Sequence, residues 1–119
     1  MYHDAEQRRQ FIQACWDCRN ECQETLFNLC LEMGGRHAEE RHVKLMMDCI
    51  AICQTTADFM TRRSSMYNEV AGVCAQICAA CADSCERIGG AEMLHCAEIC
   101  RRCATCCAGS PADSQPIAA

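Results

Sequence analysis

Long apolar runs are missing from this chain of 119 residues. No stretch approaches the roughly eighteen apolar residues of a membrane-spanning helix, and the opening YHDAEQRRQ lacks the apolar segment of a secretory signal. The expected location is therefore the cytoplasm. Positive charge is also scarce: 11 Lys and Arg against 16 Asp and Glu give a formal charge of −5. That balance argues against nucleic acid or an anionic membrane as partner. The arginine pairs Arg8–Arg9, Arg62–Arg63 and Arg101–Arg102 alternate with acids and read as solvated helix faces. Catalytic signatures are absent too, with no Ser/His/Asp set, phosphate loop or paired catalytic carboxylates. A thiol enzyme needs one tuned cysteine rather than a row, so no enzymatic activity is expected. The only two prolines fall in the final ten residues, SPADSQPIAA. Positions 110–119 are read as a flexible tail behind a domain spanning 1–109.

Cysteine, by contrast, is abundant, at 15 residues. One cysteine-bearing segment recurs four times: FIQACWDCRNEC at 11–22, CIAICQTTADFM at 49–60, CAQICAACADSC at 74–85 and CAEICRRCATCC at 96–107. Each has slots at offsets 0, 4, 7 and 11, and thirteen of the sixteen slots hold Cys. At about 100° per residue these offsets fall near 0°, 40°, −20° and 20°, a narrow stripe along an α-helix. A secreted disulfide scaffold is the usual meaning of so much cysteine in a short chain. The odd count and the i, i+4 spacing oppose it here, because side chains four apart on a helix project in parallel.

Four helices are legible. The first is predicted from Asp4 to Met33, ending at Gly34–Gly35, and the second from His37 to Arg62. The third is predicted to be N-capped by Ser64 or Ser65 and to run to Ile88 before Gly89–Gly90, and the fourth spans Ala91 to Ala108. Short connections force neighbours antiparallel, so the expected fold is all-α, an up-down-up-down four-helix bundle with a cysteine-lined core. Ile52, Ile77 and Ile99 at offset 3, with Ile12 and Ile50 at offset 1, flank the stripe where helices should meet.

Rows of inward thiols indicate a soft metal. Six CxxxC pairs occur: Cys18/Cys22, Cys49/Cys53, Cys74/Cys78, Cys81/Cys85, Cys96/Cys100 and Cys103/Cys107. Their Cβ atoms stand about 5–6 Å apart on a helix, which suits an ion of low coordination number. Cu(I) is such an ion, bound by thiolate and thioether in two- or three-coordination. Zinc demands a closed tetrahedron, which facing helices can also build. An iron–sulfur cluster is the other alternative, since Cys100, Cys103 and Cys106 follow C-x₂-C-x₂-C; the ferredoxin pattern then requires Cys at 110, where Ser110 stands.

With these CxxxC and CxxCxxxC runs on four short-linked helices, and a His/Met group ahead of the second segment, the chain resembles the bacterial copper storage proteins over about residues 4–108. The resemblance implies a four-helix bundle whose core stores or buffers many Cu(I) ions, a homotetramer, and the cytosolic branch of the family. The expected ligands are Cys15, Cys18, Cys22, Cys30, Cys49, Cys53, Cys74, Cys78, Cys81, Cys85, Cys96, Cys100, Cys103, Cys106 and Cys107, with His42, Met46 and Met60. Phe11, Thr56 and Met60 occupy slots that Cys would fit, so fewer sites are expected, chiefly beside the second helix. Antiparallel topology gathers Met33, His37, His42, Met46, Met47, Met93 and His95 with Cys30, Cys85 and Cys96 at one end. That end is expected to take up the metal.

Overall fold

The computed structural model describes residues 4–109; the tail expected at 110–119 lies outside them. Helix α1 (Ala5–Thr25) begins at a capping box. Asp4 Oδ1 accepts the Gln7 backbone N–H at 2.7 Å, and the Asp4 N–H donates to the Gln7 side chain at 3.2 Å. Two of the orphan amides of the first turn are satisfied this way. The helix runs on through a π-helical turn (Leu26–Cys30), closed by the Leu31 N–H to the Leu26 carbonyl, and a last α-turn (Leu31–Met33). It stops at Gly34, whose φ of 70° lies in the region that side chains disfavour.

Helix α2 (Glu40–Thr61) starts three residues later than expected. A 3₁₀ turn (Gly35–Ala38) comes first, and Glu39 serves as N-cap without a side-chain bond. Helix α3 (Tyr67–Ile88) also starts late, after Met66. Ser64 does not cap it; its Oγ accepts the Met66 N–H at 3.0 Å inside the connecting turn. Helix α4 (Ala91–Ala108) has the predicted bounds.

Each helix packs against its two sequence neighbours, and α4 returns to α1, closing an antiparallel four-helix bundle. The particle measures 46 × 22 × 21 Å. Its long dimension is the length of the first helix, since 29 residues (5–33) rise about 44 Å at 1.5 Å each.

The core is small and sulfur-rich. Fourteen cysteines are buried, thirteen of them with no exposed surface at all. Ala57, Ala71, Ala82 and Ala97 are buried among them, and such small side chains let the backbones approach. Ile12, Ile52, Ile77 and Ile99 are partly buried against this cluster, at the seams the offsets predict. On the outside, Arg101 of α4 reaches Asp83 at 2.6 Å and Glu86 at 2.8 Å on α3. Exposed pairs of this kind contribute about 0–1 kcal/mol each. The bundle is held by its core, not by its surface charges.

Candidate metal centre

Offsets 0, 4, 7 and 11 place each helix's thiols on the axis of the bundle, where they meet across helices more than within them. Cys15, Cys74, Cys103 and Cys107 form one group whose sulfurs all lie within 4.8 Å of one another. Cys18, Cys53, Cys78 and Cys103 form a second, with one ligand from each helix. Cys18, Cys22, Cys49 and Cys100 form a third. Cys103 belongs to the first two groups and Cys18 to the last two, so the groups join into one ladder. Neighbouring sulfurs are separated by 3.4 Å (Cys22–Cys100) to 4.0 Å (Cys53–Cys74). All fifteen cysteines are free thiols, and these separations far exceed the roughly 2.05 Å of a disulfide. Of the six CxxxC pairs, only Cys18/Cys22 and Cys103/Cys107 fall inside a single group; the unit is the cross-helix quartet rather than the helical pair.

Toward the α1–α2 turn the ladder continues in softer steps. Cys96 lies 3.9 Å from Cys22, and Cys81 lies 3.8 Å from Cys100. Met46 Sδ sits 3.6 Å from Cys81 and 3.7 Å from Cys85. Beyond it, Cys30 Sγ lies 3.7 Å from Met93 Sδ and 3.5 Å from His42 Nε2. The π-turn puts Cys30 there. On an unbroken α-helix, Cys30 would stand about 100° off the stripe. A π-turn accommodates one extra residue, which removes that rotation.

The other end is shut by apolar groups. Phe11, Met60 and Tyr67, at the start of α1, the end of α2 and the start of α3, pack into the core cluster, with Met60 and Tyr67 buried. Thr56, in an empty cysteine slot, donates its hydroxyl to the Ile52 carbonyl at 2.7 Å. The absent thiols thus mark the closed end of the ladder.

Several expected site residues do not converge. Cys106 is only half-buried, because its offset of 10 lies about 80° from the stripe. Cys100 and Cys103 belong to different groups, so the C-x₂-C-x₂-C run does not cup a single iron–sulfur cluster. Met33 and Met47 are exposed, and so is His95, whose Nε2 lies 3.9 Å from Glu21. His37 is half-buried in the 3₁₀ turn. Met93, expected only at the uptake end, meets Cys30 through its Sδ. Ser84 was missed altogether: it is buried and hydrogen-bonds to His42 Nδ1 at 2.8 Å, and no sequence signal marks it.

The thiols titrate as a set. Cys22, Cys53, Cys78 and Cys107 are pushed above the ordinary thiol range, first by hydrogen bonds with neighbouring cysteines and then by loss of water. Cys18, Cys74 and Cys81 move the other way, again first through hydrogen bonds with neighbouring cysteines. Cys30 is pushed up to about 11, chiefly by burial. Burial also holds His42 below its usual value, favouring the neutral ring that ligates metals.

Four sulfurs within 4.8 Å can enclose a tetrahedral ion, whose S···S edges at zinc–thiolate distances are about 3.8 Å. Shared vertices and added thioethers suit ions that accept two or three soft donors and tolerate bridging thiolates.

Three comparisons bear on this arrangement. A solved structure of the Nmul_A1745 protein from Nitrosospira multiformis superposes with a TM-score of 0.82 at 45% identity, covering 86% of this chain and 92% of that one. The Cu(I)-bound copper storage protein BsCsp3 superposes with a TM-score of 0.79 at 30% identity, covering 85% and 94%. The uncharacterized cysteine-rich protein YhjQ of Bacillus subtilis (strain 168) is 34% identical over 74 residues, 62% of this chain and 68% of its own length. The family described as copper storage protein, Csp, matches residues 4–111, and this chain belongs to it.

Proposed function

We propose that this protein stores Cu(I) in the cytoplasm, as several ions bound to thiolates along the bundle axis, without catalysing a reaction. The observation that carries the reading is the continuous ladder made by Cys18 and Cys103, each shared between two quartets. A carrier of one ion needs one exposed pair; a chain of buried, bridged quartets is useful only for many. The ligands are assigned to the fourteen buried cysteines with His42, Met46 and Met93 near the uptake end. Cys106 and Met60 are left outside the set, the first by its half-exposed position and the second by its place in the apolar plug. Family membership supports a homotetramer, which light scattering on the purified protein tests.

Loading replaces thiol protons by metal, and the bound cation offsets the charge of the thiolates that form. The deciding experiment is anaerobic titration of the reduced, metal-free protein with Cu(I) against a competing chelator. Tight binding of on the order of ten ions per chain, near the number of core thiols, is expected. One or two equivalents would make it a carrier, and none would return the choice to zinc or iron–sulfur.

A further inference from the structure

Ser84 is a buried polar side chain with no part in the ladder. Ser84 stands on α3 just before Cys85, is 5% exposed, and holds its hydroxyl 2.8 Å from Nδ1 of His42 on α2. His42 is fully buried, and its Nε2 faces Cys30 Sγ at 3.5 Å, beside Met93. In a neutral imidazole the hydrogen bond made by one nitrogen decides whether the other carries a proton or a lone pair. Ligation through Nε2 requires the proton on Nδ1, and the contacts on both sides of the ring can hold it there. Arg87 Nη2, which can only donate, approaches the same Ser84 oxygen at 3.5 Å while Glu39 holds its Nη1 at 3.3 Å, and a second lone pair on that oxygen is left to accept Nδ1–H. On the far side, the Cys30 thiol has Met93 Sδ and the ring nitrogen within reach. A bare ring nitrogen is a much better acceptor than a thioether.

The geometry points to Ser84 as a positioning residue that fixes His42 in the Nδ1–H tautomer, with the Nε2 lone pair aimed at Cys30 and Met93 for an arriving soft cation. Identifying that cation as Cu(I) rests on the storage reading above. Metal-binding histidines are usually oriented by a carboxylate, carbonyl or water behind the ring; here a side-chain hydroxyl fills that place. Without it, Nδ1–H has lost this partner in a dry site, and moving the proton to Nε2 removes the lone pair the metal needs.

The test is ¹⁵N NMR of the histidine rings in the reduced, metal-free full chain, with Cu(I) uptake from a small-molecule chelator followed in parallel. Wild-type protein is expected to show a protonated Nδ1 and an unprotonated Nε2 at His42. Ser84→Ala is expected to shift the proton toward Nε2 and to slow initial uptake about tenfold or more, leaving the final number of ions unchanged. Ser84→Thr is expected to restore both. A wild-type His42 protonated on Nε2 would overturn the inference, as would Ser84→Ala with an unaltered tautomer or an unaltered uptake rate. Should Ser84→Ala fail to fold, the wild-type tautomer alone decides. Wild-type protein that bound no Cu(I) would defeat the storage reading, while the NMR result would still judge the role of Ser84.

Discussion

Individual thiols in the ladder are not equivalent. Cys18 and Cys103 each serve two quartets, so replacing either with Ala is expected to lower Cu(I) capacity by more than one ion per chain. Cys106→Ala is expected to leave capacity unchanged, and metal counting after gel filtration separates the two outcomes. At the uptake end, His42→Ala combined with Met46→Ala removes two neutral donors but no thiolate. Stopped-flow mixing with a Cu(I)–chelator complex is expected to show slower loading to the same final count; unchanged kinetics would show that neither side chain handles the arriving ion. Much at this scale was legible in the sequence, because a period of offsets 0, 4, 7 and 11 leaves cysteine little choice but one stripe. Ser84 was not legible, since its partner is 42 positions away on another helix. Cys106, expected among the ligands, stands half-buried where the helical phase carries its side chain off the axis.

Among the elements, α1 departs most from regularity, and its irregularity has a purpose. The turn Leu26–Cys30 contains one residue more than an α-helix would. Deleting the exposed Asn28 is expected to restore α-geometry and still leave Cys30 facing Met93 and His42, because the extra residue and the π-turn that absorbs it go together. A thiol-labelling reagent should then leave Cys30 protected in the folded protein; rapid modification would show that the π-turn does more than absorb one residue. No residue type in LFNLC announces such a turn, because it results from packing Leu26 and Cys30 on one side rather than from propensity. The starts of α2 and α3 escaped prediction for a related reason. Neither N-cap, Glu39 or Met66, makes a side-chain capping bond, so the usual Ser, Thr or Asp signal is lacking or misplaced. Where punctuation is chemical, as at the Asp4–Gln7 capping box and the glycines after Met33 and Ile88, the helix limits could be read directly.

For the whole molecule, helix packing around Leu26, Ile50, Ile88 and the buried alanines is expected to hold the bundle together without metal. Far-UV circular dichroism of the metal-free protein should be strongly helical, and a random-coil spectrum would contradict this. The same metal-free protein should lose stability in alkali. Below about pH 8.5 the Cys30 thiol is protonated in both the folded and unfolded chain; from there to about 11 only the unfolded chain ionises, which favours unfolding. Chemical denaturation at pH 8 and pH 10 measures the loss, and Cys30→Ala is expected to make it shallower. Bound metal reverses the trend, since ions held only by the folded state add stability by mass action.

The plug of Phe11, Met60 and Tyr67 gives the vessel a blind bottom, with His42, Met46 and Met93 at the neck. Cargo in such a vessel is stacked. Half-filling with ⁶³Cu, topping up with ⁶⁵Cu and withdrawing a little with chelator should return mostly the heavier isotope, whereas an equal mixture would mean that the ions reshuffle faster than they leave. Last in would be first out, and the oldest copper would be the hardest to recover.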